Sequence, residues 1–140
     1  MLAQPYLNFD GRCEEALNFY KQAIGAEIVC LMRMSDSPEP CDPAMVPPGS
    51  ENKVMHSSFK IGESTLMASD CGCSGQSKFS GVSISLTAAD PDHAAKLFAA
   101  LSEGGRVEMP LGKTFFSPSF GVLQDRFGLS WMVYVEQPQD

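Results

Sequence analysis

The sequence predicts an α+β protein of two tandem βαβββ repeats, whose strands form a curved mixed sheet around a cavity with the helices on the outside. Two helix-like segments each have one apolar face, and each lies between one strand-like segment and three more. The stretch FYKQAIGAEI at 19–28 also resembles FAALSEGGRV at 98–107. Self-similarity of this kind indicates a duplicated unit, and a second copy can bury the sheet face that a single helix leaves uncovered.

The length bounds the number of domains. A chain of 140 residues that is 44% hydrophobic can bury one sizeable core but not two independent ones. We therefore expect a single domain over 1–140, with repeat one at about 3–70 and repeat two at about 79–136.

The first repeat begins with a short apolar strand at 6–9. The helix after it is predicted from apolar residues at spacings of three and four, ending before Gly25, and they are Cys13, Ala16, Leu17, Tyr20 and Ile24. Strands follow at 26–34, 54–61 and 64–70, the last two joined by a tight Gly62-Glu63 turn. The proline-rich stretch at 35–53 is a long loop, either an irregular insertion or a lid over a site.

The second repeat has the same order of elements. A strand at 80–87 precedes a helix that Asp90 can cap and that Pro91 suits in its first turn. Its apolar stripe is predicted to be Ala94, Leu97, Phe98 and Leu101. After Gly104-Gly105, three strands are expected at 106–114, 120–124 and 130–135.

Composition excludes several kinds of partner. A net charge of −7 without a Lys/Arg cluster argues against nucleic acid, because phosphate binding needs cations. No apolar stretch is long enough to cross a membrane, and the N-terminus lacks a basic segment followed by an apolar run, so we expect a cytoplasmic protein. Five scattered cysteines fit reduced thiols better than a disulfide framework, and we expect most to be small core residues.

Three blocks of the sequence carry a family resemblance: PYLNFDGRCEEALNFYKQAIGAE, VMHSSFKIGESTLMASD and FGVLQDRFGLSWMVYV. Together they resemble the PhnB-like branch of the vicinal oxygen chelate superfamily, which includes glyoxalases and bleomycin resistance proteins. The resemblance implies a small-molecule ligand and a homodimer. Members of this branch are often labelled 3-demethylubiquinone 3-methyltransferase, but the chain lacks the glycine-rich strand-to-helix turn that binds S-adenosylmethionine, so we do not expect that activity.

The resemblance also implies positions for a divalent metal ion that would act as a Lewis acid. Carried over to this sequence, the four ligand positions fall near Pro5 or Tyr6, Ser69 or Asp70, Ser83, and Met132. Only Asp70 is a plausible ligand, since hydroxyl and thioether groups bind such ions poorly. We therefore predict that the inherited metal site is lost and that no cofactor is bound.

Alternation along the strands predicts which side chains line the cavity. Val82, Ile84 and Leu86 suit packing on a helix, which leaves Ser83 and Ser85 opposite. Met132 and Tyr134 likewise share a face, with Trp131, Val133 and Val135 on the other. The candidate ligand contacts are Tyr6, Ser83, Ser85, Phe115, Trp131, Met132 and Tyr134. Trp131 and the Phe115-Phe116 pair can equally be core or interface residues.

His56 and Asp70 are the candidate catalytic residues. His56 is predicted in mid-strand, on the face shared by Val54 and Ser58. It is either a pocket acid, base or ligand, or a histidine that is satisfied by a neighbouring strand or exposed at a sheet edge. Asp70 ends a strand, where a carboxylate also often caps a turn. His93 is expected to be solvated, and the segment 125–128 to shape a turn.

Three functions stay open at this point. The first is small-molecule binding in the cavity between the repeats, by sequestration or with simple acid–base chemistry, so whether the protein is an enzyme is undecided. The second is a metal-dependent lyase or dioxygenase with an unusual ligand set such as His56, Asp70 and Glu136. The third is a redox or metal-thiolate module at Cys71 and Cys73, which could share a soft metal with Cys41 and His56.

Overall fold

The computed structural model describes residues 1–36, 49, 51–70 and 78–137. They divide into two compact units, Met1–Lys78 and Phe79–Asp140, which correspond to the two predicted repeats. Most of the proline-rich loop and both members of the Cys71–Cys73 pair lie outside the described residues, as does Cys41.

Each unit has the predicted order of one strand, one helix and three strands. In repeat one these are β1 (Tyr6–Asn8), α1 (Cys13–Ile24), β2 (Glu27–Arg33), β3 (Val54–Ile61) and β4 (Ser64–Ser69), with a single 3-10 turn at Met34–Asp36. In repeat two they are β5 (Ser83–Ala88), α2 (Pro91–Ser102), β6 (Arg106–Gly112), β7 (Phe120–Gln124) and β8 (Ser130–Val135). The α+β class and the tandem βαβββ order are confirmed.

The two sheets have the same topology. Sheet one has the order β1-β4-β3-β2 and sheet two the order β5-β8-β7-β6. In each, the first strand pairs in parallel with the last, and the other pairs are antiparallel.

Both helices bury the stripe that their spacing predicts. In α1 the buried residues are Cys13, Ala16, Leu17 and Tyr20, while Ile24, the fifth predicted member, is half-buried. Gly25 ends the helix with φ 72°, a conformation that favours glycine. In α2 they are Ala94, Leu97, Phe98 and Leu101. The Asp90 side chain caps α2 by accepting a hydrogen bond from the His93 N–H at 2.7 Å, and Pro91 occupies the first turn, as predicted.

Some strand bounds differ from the prediction for identifiable reasons. β5 begins at Ser83 rather than residue 80, after Gly81 with φ 73°. β6 ends at Gly112 rather than residue 114, and its pairing with β7 is irregular between Met109 and Gly112. Pro110 lies in that interval and has no N–H to donate, which is tolerated because β6 is an edge strand.

One local expectation is wrong. The sequence predicts that Val54 shares a strand face with His56 and Ser58, but it is fully buried while they are half-buried, so it points to the other face. The pairing of β2 with β3 shifts register between Met32 and Arg33, next to Val54. Of the cysteines that the structure describes, Cys13 is buried and Cys30 is exposed on the edge strand β2, so the expectation that most cysteines are core residues stays a prediction. In the described part of the chain, neither helix is long enough to span a membrane.

The start of β6 provides a test of the packing. A Cβ atom added to Gly105 would lie 2.2 Å from the carbonyl oxygen of Gln124 and 2.9 Å from the Asp125 Cα, and backbone atoms cannot easily move away. We predict that Gly105→Ala lowers the free energy of unfolding by about 3 kcal/mol through overpacking, measured by urea denaturation.

The matched control for this substitution is Gly112→Ala. No atom lies within 4 Å of a Cβ added at Gly112, so the change is expected to alter stability by less than about 0.5 kcal/mol. Equal effects of the two substitutions would contradict the close approach of Gly105 to the end of β7.

Candidate functional site

Strand β8 presents different chemistry on its two faces. Trp131, Val133 and Val135 are buried, while Met132 and Tyr134 are only half-buried on the opposite face. Because α2 packs against β8, the buried set faces the helix. We call the opposite side the far face of sheet two, defined by Ser85, Phe120, Met132 and Tyr134.

Pairing between strands assembles this face. Ser85 of β5 lies beside Met132 in the parallel pair, and Phe120 of β7 lies opposite Tyr134 in the antiparallel pair. Residues paired directly across strands point to the same side of the sheet and contact each other. Four side chains from three strands therefore converge on one surface.

A cavity of about 750 Å³ opens on the far face of sheet two, within the size range typical of small-ligand sites. Its described lining residues are Ser85, Phe116, Phe120, Met132, Tyr134, Glu136 and Gln137. Phe116 and Phe120 meet edge to face with ring centroids 5.0 Å apart. The lining combines apolar rings and a thioether with hydroxyl, amide and carboxylate groups.

Three of the predicted ligand contacts line this cavity: Ser85, Met132 and Tyr134. The Ser83 hydroxyl instead donates to the Ser130 hydroxyl at 2.9 Å, and Ser83 does not line the cavity. Phe115 is 93% exposed and packs edge to face on Phe116, with the ring centroids 5.1 Å apart. Its neighbour Phe116, not Phe115, lines the cavity.

Trp131 belongs to the core of repeat two. It is fully buried, and its indole N–H donates to the Asp125 carboxylate at 2.8 Å. The same carboxylate accepts hydrogen bonds from the N–H groups of Phe127 and Leu129. Of the two alternatives for Trp131, the core is therefore the one that the structure supports, and the 125–128 segment shapes a turn as predicted.

Sequence reasoning missed two lining residues, Phe120 and Gln137. It named Phe116 only as part of an aromatic pair that could stack on a ligand, and Glu136 only as a possible metal ligand. The signal for Phe120 is its position opposite Tyr134, which requires the register between β7 and β8. Glu136 continues the alternation of Met132 and Tyr134, two residues beyond Tyr134. Extending the pattern past the end of β8 would have included it.

The second group of predicted residues lies on sheet one. The Tyr6 hydroxyl is 3.1 Å from His56 Nδ1, and the two rings lie 5.8 Å apart at 33°. Both residues are accessible, with Tyr6 51% exposed and His56 half-buried. When the phenol donates to Nδ1, the neutral imidazole carries its proton on Nε2. The pair is chemically suited to proton transfer.

Asp70 is buried and binds backbone N–H groups. One carboxylate oxygen accepts from Gly11 and Cys13 at 2.8 Å each, and the other accepts from Val54 at 2.9 Å. The residue before α1, Arg12, makes no side-chain cap, so a carboxylate from the end of β4 satisfies the start of this helix. Asp70 thus faces α1, on the opposite side of sheet one from His56, and the two are not partners.

Cys13, the first residue of α1, has a thiol of low reactivity. Burial raises the pKa of its thiol from 9.0 to about 12, despite a contact of 3.6 Å with the Ser57 hydroxyl that works in the other direction. The neighbouring Asp70 raises the pKa further because a negative thiolate would repel it. The thiol therefore stays protonated at neutral pH and is a poor nucleophile or metal ligand.

A smaller hollow near the start of α1 holds charges that already have partners. Its lining includes Glu14, Glu15, Lys53 and Asp70. Arg33 binds Glu14 at 2.6 Å and lowers the pKa of that carboxyl, while Lys53 donates to the carbonyl of Gly11 at 2.8 Å. These contacts tie α1 to the strands, so we assign the hollow a structural role.

The ligand positions implied by the superfamily do not fit a divalent metal ion. Tyr6 binds His56, Asp70 binds the backbone, Ser83 binds Ser130, and Met132 offers a thioether. Over the described residues, no group of three or more His, Cys, Asp or Glu side chains is arranged to hold a metal. Glu136, the third member of the unusual ligand set, belongs to repeat two, whereas His56 and Asp70 belong to repeat one.

Comparison with solved structures defines the class of protein. The fosfomycin resistance protein FosX of Listeria monocytogenes superposes with a TM-score of 0.63 at 9% identity, covering 98% of this chain and 93% of that one. At such low identity the likeness concerns the fold alone. The chain shares this fold, which is the glyoxalase fold.

Closer relatives define the family. The protein PA1353 of Pseudomonas aeruginosa is 41% identical with a TM-score of 0.83, covering 99% of both chains. A PhnB protein from Bacillus cereus is 30% identical with a TM-score of 0.78, covering 96% of this chain and 99% of that one. Protein YjdN of Escherichia coli K12 is 31% identical over 99% of this chain and 98% of its own.

The family profile described as 3-demethylubiquinone-9 3-methyltransferase matches residues 3–134. The chain therefore belongs to this family, whose PhnB-like character the sequence predicted.

Replacement of Asp70 tests its structural role. Asp70→Asn exchanges a carboxylate oxygen for an NH₂ group and leaves at least one buried N–H without an acceptor. We predict a loss of about 2 kcal/mol in the free energy of unfolding, measured by urea denaturation. Glu63→Gln, an exposed carboxylate in the β3–β4 turn, is the control and should change stability little. Unchanged stability of Asp70→Asn would refute the role assigned to Asp70.

Proposed function

We propose that this protein binds a small, partly polar organic molecule in the cavity on the far face of sheet two. The observation that carries the proposal is the convergence of Ser85, Phe120, Met132 and Tyr134 around a hollow of about 750 Å³. Apolar rings and the thioether would remove water from the body of a ligand, while hydroxyl and amide groups would orient it. This combination is typical of a binding site for a small molecule.

Methyl transfer, which the family description names, receives no support from the strand-to-helix connections. The cofactor S-adenosylmethionine is usually bound at a glycine-rich turn between a strand and a helix. The connection from β1 to α1 contains one glycine, Gly11, whose N–H is bonded to Asp70. The connection from β5 to α2 contains none. We therefore propose ligand binding without methyl transfer.

Proton transfer is the second candidate function, and the Tyr6–His56 hydrogen bond favours it. An imidazole can gain or lose a proton near neutral pH, and the phenol in contact with Nδ1 would set its tautomer. If the protein has an activity, we assign the acid–base role to His56 and the positioning role to Tyr6. Asp70 takes no part in this scheme because its oxygens accept backbone hydrogen bonds.

A ligand screen by NMR tests the binding site. With methionine methyl groups labelled with ¹³C, compounds that bind should shift the Met132 signal, because Met132 lines the cavity. Phe120→Ala should then weaken their binding by about threefold or more, through loss of aromatic contact. The measurement is the dissociation constant from the titration of that signal.

Val29→Ala is the control for this screen, since Val29 is 56% exposed on β2 and does not line the cavity. It should leave the dissociation constants unchanged. Binding that leaves the Met132 signal unshifted, or that is weakened equally by Phe120→Ala and Val29→Ala, would rule out this location.

Elemental analysis tests the alternative of a metal-dependent lyase or dioxygenase. We expect no stoichiometric metal in protein purified without chelators, either in the wild-type chain or in His56→Ala, because the inherited ligand positions carry poor or engaged donors. One equivalent of metal that disappears in His56→Ala would establish the metal-dependent alternative instead.

Three expectations stay predictions: the homodimer, the cytoplasmic location and a cavity shared by both repeats. We propose the homodimer because it follows from the resemblance to the superfamily, and its test is the mass in solution by light scattering. The thiolate module at Cys71 and Cys73 concerns residues outside the described part of the chain.

A further inference from the structure

The charge of the cavity lining narrows the class of ligand. Glu136 is the only formally charged group among the described lining residues at neutral pH, and no described lining residue is a lysine, arginine or histidine. Anionic ligands are usually recognised by arginine or lysine side chains or by helix N-termini. The described lining offers a negative charge and no cation, which favours a ligand of positive charge.

Glu136 is available for such a ligand. It is exposed, and none of the ion pairs within the described residues includes it. It follows Met132 and Tyr134 along the same alternation, and all three line the cavity. Its carboxylate therefore lies at the same hollow as the aromatic rings rather than at an unrelated surface.

The aromatic lining distinguishes an organic cation from a metal ion. Phe116, Phe120 and Tyr134 supply three rings to one cavity, and aromatic rings attract the diffuse charge of ammonium groups through their quadrupole. Met132 adds a polarisable thioether that packs well on alkyl and aryl groups. A hard metal ion prefers several charged or carbonyl oxygen donors together, and one carboxylate with one amide and two neutral hydroxyls is a poor set for it.

We propose that the ligand of this cavity is an organic cation, an inference that rests on the proposed binding function. The expected compounds are small amines or quaternary ammonium compounds with an aromatic or apolar body. The Glu136 carboxylate and the rings of Phe116, Phe120 and Tyr134 would hold its charged end. The Ser85 hydroxyl and the Gln137 amide would accept N–H hydrogen bonds from a primary amine. The net charge of −7 on the chain also favours the approach of cations.

Three compounds that share a phenyl ring and a short chain test the charge preference. Phenethylamine is cationic at pH 7, phenethyl alcohol is neutral, and hydrocinnamate is anionic. Each is titrated into the full chain, and binding is followed by the ¹³C signal of the Met132 methyl group. We expect the amine to bind most tightly, and added salt to weaken the amine but not the alcohol, because salt screens the interaction between charges.

Substitution of Glu136 tests the residue assignment. Glu136→Gln should weaken binding of phenethylamine by about threefold, the scale of an exposed ion pair, and leave phenethyl alcohol unchanged. Glu136→Asp should retain part of the preference. Glu63→Gln removes the same charge from the β3–β4 turn without touching the cavity lining and should have no effect.

The possible outcomes separate this inference from the binding function on which it rests. Equal or tighter binding of the alcohol or the anion at Met132 would overturn the cation preference and leave small-molecule binding intact. Equal effects of Glu136→Gln and Glu63→Gln would overturn the role of Glu136. Failure of all three compounds to bind would overturn the inference for arylalkyl cations, while the binding function is judged by the broader screen.

Discussion

A single helix packs on one face of each four-stranded sheet. Which strand residues are buried, and where the cavity lies, both depend on this packing on one face only. Side chains alternate along a strand, so a strand covered on one face must carry two different sets of residues. In β8, Trp131 and Val133 point towards the helix and are fully buried. Met132 and Tyr134 point to the opposite face and are partly accessible. The cavity of sheet two lies on this accessible set.

Two buried aspartates hold the local geometry in place, and neither is free to act on a ligand. Asp70 satisfies N–H groups at the start of α1 and of β3, and Asp125 satisfies the turn before β8 together with the indole of Trp131. A carboxylate buried with several N–H donors is stabilised as a structural acceptor. The groups that line the cavity and can contact a ligand are aromatic rings, a thioether, hydroxyls, an amide and one exposed carboxylate.

The family relationship and the site chemistry support different conclusions about function. The family description names a methyltransferase, yet the positions singled out from the sequence carry a phenol bonded to an imidazole, a hydroxyl bonded to another hydroxyl, and a thioether. Function resides in the side chains of a site rather than in the fold. Binding through aromatic and polar contacts is the function that we propose for these side chains.

The sequence by itself determined the class, the repeat order, both helices and much of the strand content, because periodicity and caps such as Asp90 act over a few neighbouring residues. Alternation within single strands was also enough to place Ser85, Met132 and Tyr134 together. Only the tertiary structure decided the rest. Phe120 joins the cavity through its register with Tyr134, and Asp70 caps a helix 57 residues earlier in the chain. Such pairings depend on contacts between distant segments, which no local pattern of residues encodes.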